Sequence, residues 1–295
     1  MEFRALACLA RIVGVVITAM RAGMKLALTG VALGVIGGCS NTSNKTTGSI
    51  VVLHTSVSTD PEIRSTFLTS FGWNVKVTEA KVALAALYYF DGPPAFVRND
   101  LPILTPMDRV EQLLGISVAY AHPGHYQAGE AVGQMITPSS YDLFANEPVA
   151  LADGNGVTGT YRSARFVFPQ SPVGPMAASL DGHIAVVEGT ATRASDSAAE
   201  PPIHFRMTAN FSDIARSASL GEVDGCDFTE TNVDGSGTVH LVIHPSIWFN
   251  LVDFSSLDAG SDAAPTDVDA GTQPYVAFAL GLAQLSAYGF SFSRP

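Results

Sequence analysis

Over residues 49–295 apolar and polar positions alternate in short runs, the period of two expected of strands with one buried face. Residues 49–57 (SIVVLHTSV) are β-branched and apolar, and residues 73–77 (WNVKV) alternate. Residues 81–90 (KVALAALYYF) form a longer apolar run, closed by the strong turn Asp91-Gly92-Pro93-Pro94. Further strands are expected over 161–168, 184–188, 203–211, 238–244, 274–285 and 288–292. Asp153-Gly154-Asn155-Gly156, Asp181-Gly182 and Asp234-Gly235-Ser236-Gly237 carry the positive-φ residues that close hairpins. Helix signals are sparse. Thr105 as N-cap, Pro106 at the first helical position and an early acid predict one short helix over 105–114, stopped at Gly115. The pattern predicts an all-β fold: an antiparallel β-sandwich with one short helix, forming a single domain over 49–295.

The first 38 residues follow a different pattern. Residues 6–20 are apolar but broken by Arg11, and residues 26–38 (LALTGVALGVIGG) form a clean run of 13. A bilayer span needs about 20 apolar residues, so neither run crosses a membrane alone. The second has the length of the apolar core of a signal peptide, with basic residues before it. It ends in Ile36-Gly37-Gly38-Cys39, and residues 40–48 (SNTSNKTTG) are polar and small, the composition of a flexible tether.

This series resembles the lipobox of bacterial lipoproteins, in which the Cys after two small residues is lipidated and becomes the mature N-terminus. The resemblance covers residues 24–39. It implies a signal-peptide helix over 1–38, lipidation at Cys39, a tether over 39–48 and a membrane partner reached through the lipid. Read from Met24, MKLALTGVALGVIGGC is a complete signal by itself, so the true start is open between Met1 and Met24. Ser40 stands where inner-membrane lipoproteins of Gram-negative bacteria carry Asp, which implies the outer membrane. The body resembles the β-rich lipoproteins of those bacteria, a likeness that implies an address and no activity.

Charge then narrows the partners. The whole chain carries 16 basic and 27 acidic residues, a net −11. With the four basic residues and one acid of positions 1–39 removed, the remainder carries −14. Nucleic-acid affinity rests on Lys and Arg, so a phosphate-backbone partner is excluded. Three Cys in 295 residues make no disulfide scaffold. Cys226 would stand alone, a small half-buried residue in a Gly225-Cys226-Asp227 turn.

The most unusual segment is Tyr120-Ala121-His122-Pro123-Gly124-His125, followed by Glu130. Pro-Gly favours a type II turn, whose ends approach within about 7 Å. The imidazoles of His122 and His125 would then meet one ion, zinc or copper being suited to such donors. Glu130 could add an oxygen ligand. A third nitrogen could come from His244, which closes the run Thr238–His244. Period two places His240, Val242 and His244 on one face of that run. The ordinary alternative for the His122–His125 pair is a turn with ring nitrogens bonded to nearby backbone. His54, in an otherwise apolar strand, is expected to be half-buried and hydrogen-bonded. The sequence has no G-x-S-x-G elbow, P-loop or C-x-x-C. Three functions follow: an anchored β-sandwich lipoprotein binding a transition metal, a structural or adhesion lipoprotein without metal or catalysis, and a metal-assisted hydrolase.

Overall fold

The computed structural model of the chain describes residues 48–95, 128–194, 201–217, 221–261 and 264–295. The expected signal segment, Cys39 and the predicted helix over 105–114 lie outside these residues. The described residues are mainly strand, as the period-two pattern predicts. Their arrangement corrects the plain sandwich: one sheet closes on itself as a barrel, and a second sheet stands beyond one of its ends.

The barrel strands are β1 (Ile50–Thr59), β4 (Ala86–Phe90), β5 (Ala131–Met135), β8 (Gly154–Val157), β9 (Gly159–Val167), β12 (Glu222–Val233), β13 (Gly237–Ile243) and β15 (Tyr288–Ser293). Their spatial order is β13-β15-β12-β9-β4-β5-β8-β1, and β1 pairs again with β13 to close the ring. That closing pair is parallel, from Leu53↔Gly237 to Thr59↔Ile243. The two-residue strand β7 (Val149–Ala150) adds to β1 beside β8.

The second sheet holds β2 (Phe67–Leu68), β3 (Trp73–Leu84), β6 (Ser139–Asp142), β10 (Ala185–Arg193), β11 (Ile203–Ala209) and β14 (Thr266–Asp267). One residue, Ala85, separates β3 from β4, so a nearly continuous strand passes from this sheet into the barrel. Four helices are described: α1 (Ala177–Leu180), α2 (Phe211–Ser217), α3 (Pro245–Phe249) and α4 (Gln273–Leu282). Phe249 of α3 and Phe254 pack on Phe205 of β11 with ring centroids 5.6 and 4.9 Å apart.

Strand alternation decides which side chains fill the barrel. Val51, Leu53, Thr55 and Val57 of β1 are buried, as are Val239, Leu241 and Ile243 of β13. Tyr89, Tyr161, Phe228 and Phe290 form one aromatic cluster, with centroids 5.6–6.3 Å apart. Phe166, Phe168 and Tyr288 form another, with Phe166 stacked on Tyr288 at 4.2 Å. Between the barrel and the second sheet, a crevice lined by Val57, Val82, Leu84 and Ile243 leaves about 10 Å³, room for roughly one water. The outer face carries charge instead. Arg165 pairs with Glu222 and Asp224, and Arg162 with Glu230. Apolar inside and charged outside is the reverse of a lipid-facing barrel.

Several turn and strand expectations change with this topology. Asp153-Gly154-Asn155-Gly156 is mostly strand β8 rather than a turn. Gly156 is needed there because a Cβ would lie 2.3 Å from the Tyr161 hydroxyl, which donates to the carbonyls of Val132 and Val157. Asp181 and Gly182 do take positive φ (48° and 85°), but they join α1 to β10 rather than two strands. The Asp234 turn joins β12 to β13, and β15 lies between those two strands. Residues 274–285, expected as strand, are mostly helix α4, which starts after Thr272 with Pro274 in its first turn. Cys226 sits within β12, and burial pushes its thiol up to about 12.

Substituting Gly156→Ala drives a methyl into Tyr161 and Leu53. We expect a loss of about 2 kcal/mol, in the range for overpacked cores, read by urea unfolding. An unchanged midpoint would show that the barrel gives way at this point.

Candidate functional site

The parallel register of β1 and β13 brings together side chains far apart in sequence. On the outer barrel face Ser56 lies beside His240, and Asp60, just past β1, lies beside His244. The Ser56 hydroxyl is 2.8 Å from His240 Nδ1, and Ser293 Oγ of β15 is 2.7 Å from Nε2. One hydroxyl donates to the ring and the other accepts from it, in whichever tautomer the ring adopts. His244 Nδ1 is 2.8 Å from Asp60 Oδ2. His54, further down β1, is 2.8 Å from Asp153 Oδ1. Its side chain is 56% exposed, so the half-buried role expected for it does not hold. The outward placement of His240 on β13 and of His244 just past its end follows the period-two reading.

Asp60 does more than meet His244. Its Oδ1 accepts from the Glu62 N–H at 2.9 Å and starts a short 3-10 turn, Pro61–Arg64. Its own N–H donates to the Ile243 carbonyl at 2.8 Å, extending the pairing of β1 and β13 by one bond. The Glu62 N–H holds the Asp60 carboxyl below its ordinary range against the opposing effect of burial, and His244 adds to the lowering.

This ladder contains the residue types of acyl transfer but not their connectivity. A triad needs one imidazole between a nucleophile and an orienting carboxylate. His240 contacts two hydroxyls, whereas His244 and His54 each contact a carboxylate. β13 is paired along both edges, with β1 and with β15, so its N–H groups are not available to an oxyanion. The contacts act as stitches between strands. A part-buried bond such as Ser56–His240 contributes about 1 kcal/mol net.

Of the metal-ligand set expected from the sequence, only Glu130 and His244 fall among the described residues. His122 and His125 lie outside them. Their segment departs after Ala95 and returns at Ala128, whose carbonyl accepts from the Gly92 N–H at 3.0 Å. Glu130 is exposed at the start of β5, its N–H donating to Asp91 Oδ1 at 2.7 Å. The register Gly133↔Gly156↔Val51 sets Glu130 level with the start of β1. His244 is level with its end. The two are at opposite ends of the barrel, roughly 25 Å apart along its axis at ordinary strand rise and tilt. No group of three or more His, Cys, Asp or Glu side chains placed to hold a metal occurs among the described residues.

Ser56, Asp60 and Ser293 were not singled out by the sequence, because nothing local marks them. The one trace is a constant offset: Ser56–His240, Asp60–His244 and the bond from Val52 N–H to Ser236 Oγ each span 184 positions. Compared with protein families, curated proteins and solved structures, the chain matches none.

Two outcomes follow from this geometry. The folded-state pKa of Asp60 is lowered, so its contribution to stability is complete above the usual carboxylate range and is lost as pH falls through the folded value. Asp60→Asn should therefore be less stable than wild type near pH 7, with the gap closing below about pH 4, near the unfolded carboxylate pKa. Denaturant melts across that range would show it, and a gap constant with pH would contradict it. Separately, Glu130 and His244 should not serve one zinc or copper site, so at most one of Glu130→Gln and His244→Ala should weaken an isotherm in calorimetric titration. Equal weakening by both would contradict the separation.

Proposed function

We propose that this chain is a lipid-anchored protein of the bacterial cell envelope whose barrel body acts as a binding or structural module without catalysis. Cys39 is the lipidated residue, residues 40–48 are the tether, and Ser40 directs the protein to the outer membrane. The observation that carries the reading is the junction between tether and body. The polar run after the lipobox ends at Gly48, and the very next residues enter β1, the strand that closes the barrel.

Other features support the same reading. Aromatic rings fill the barrel interior, so partners are met on the surface and not in a ligand chamber. None of the described helices is long and apolar enough to cross a membrane. The charged outer face of the barrel suits an aqueous compartment, so attachment falls to the lipid. A single acyl chain gives only marginal anchoring, and stable attachment takes more than one. A lipidated N-terminal Cys of the lipobox type would meet that need.

The test is labelled palmitate fed to Gram-negative cells expressing the full chain. Wild type should incorporate label and sediment with outer membranes, and Cys39→Ala should lose both. Label retained in Cys39→Ala, or wild type left unlabelled and soluble, would contradict the anchor.

A further inference from the structure

We propose that β1 is a shear clamp, a strand arranged so that tension arriving through the N-terminal tether loads its backbone bonds together rather than one after another. The proposal rests on the anchored reading for its use in the cell, but its geometry stands on the fold alone.

Tension from the N-terminal side enters at Gly48 and runs straight along β1. That strand is bonded on both edges. On one side it pairs with β13 in parallel register over seven positions, Leu53 to Thr59. On the other, Ile50–Leu53 pair with β8, and Ser56 and Val57 pair with β7. A pull along the strand slides it against all of these partners at once. A pull across the sheet would open the same bonds singly from one end. The first geometry has the higher barrier, and forced unfolding is governed by that barrier rather than by equilibrium stability.

The two ends of β1 are also held. At the entry, Ser49 and Thr158 exchange bonds: Ser49 N–H donates to Thr158 Oγ1, and Thr158 N–H donates to the Ser49 carbonyl, both at 2.9 Å. At the far end, Asp60 bonds to Ile243 and His244. Beyond it Ile63 is fully buried, and Arg64 donates to the carbonyls of Phe144 and Ala145. Sliding β1 toward the tether would pull Ile63 from the core. Slipping by one residue would also turn Val51, Leu53 and Val57 out of the barrel. The Ser56–His240 and Asp60–His244 contacts are cross-bolts on this interface.

The arrangement distinguishes two directions of load. The C-terminal strand β15 ends near the entry end of β1, because Ser293 pairs with Thr238 and Thr238 with His54. Tension between Cys39 and the C-terminus therefore draws two strands apart from the same end, across the sheet. Tension between Cys39 and Leu251 acts along β1, because Leu251 is an exposed residue beyond the far end of β13 and α3.

Single-molecule force spectroscopy on the unlipidated full chain, with Cys8→Ser, tests this. One handle is attached at Cys39. The second is attached either at Leu251→Cys or at a Cys added after Pro295. At one loading rate the Leu251 geometry should unfold at a force at least about twofold higher. Equal forces, or a higher force through the C-terminus, would overturn the clamp. Because the handles use thiol coupling, the result is independent of whether Cys39 is lipidated, which the palmitate experiment decides separately.

Discussion

The parallel pairing of β1 with β13 is the constraint on which the rest of the structure depends. Without it the eight-stranded sheet has two free edges and an aromatic interior open to water. With it, Leu53, Thr55 and Val57 face inward toward the same core as Leu241 and Ile243, and the outer positions fall into the row of hydroxyl and imidazole contacts. Two chain segments 184 positions apart must meet in register for this to happen. Such a contact carries a large loop-closure cost and forms only when many interactions form with it. The barrel, the side-chain ladder and the second sheet that continues from β4 through β3 therefore stand or fall together.

Period-two alternation was enough to show strands, and for β1, β9, β11, β13 and β15 it marked the right stretches. It could not show which strands pair. A closed barrel and a sandwich ask the same thing of a single strand, one apolar face. The difference lies in closure, which depends on register between distant segments. β12 escaped notice because Glu222–Val233 carries a Gly and five acidic or amide side chains, several outward on the charged face. α4 was misread because nearly all its side chains are apolar and most are buried, which removes the helical period. Its start signals, Thr272 and Pro274, were present but local.

The candidate site was legible only in fragments. The face shared by His240 and His244 followed from strand period alone. Their partners did not, since Ser56 and Asp60 are unremarkable until β1 is laid beside β13. The pairing also separates what the sequence had grouped: Glu130 and His244 belong to opposite ends of the barrel. Glu130 is exposed at the start of β5 and His244 ties β1 to the start of α3, while His122 and His125 lie outside the described residues. Among the described residues, ion pairs such as Arg165 with Glu222 and Asp224, and Arg162 with Glu230, lie on outward strand faces.

The central claim is that β1, although it is the first described strand, is as firmly held as the interior. Native-state hydrogen exchange tests this most directly. The account predicts that the bonded amides between Leu53 and Thr59 exchange only through global unfolding, with the same denaturant dependence as those of β9 and β12. Exchange of β1 at a distinctly lower free energy, through local opening while β9 and β12 stay protected, would contradict it.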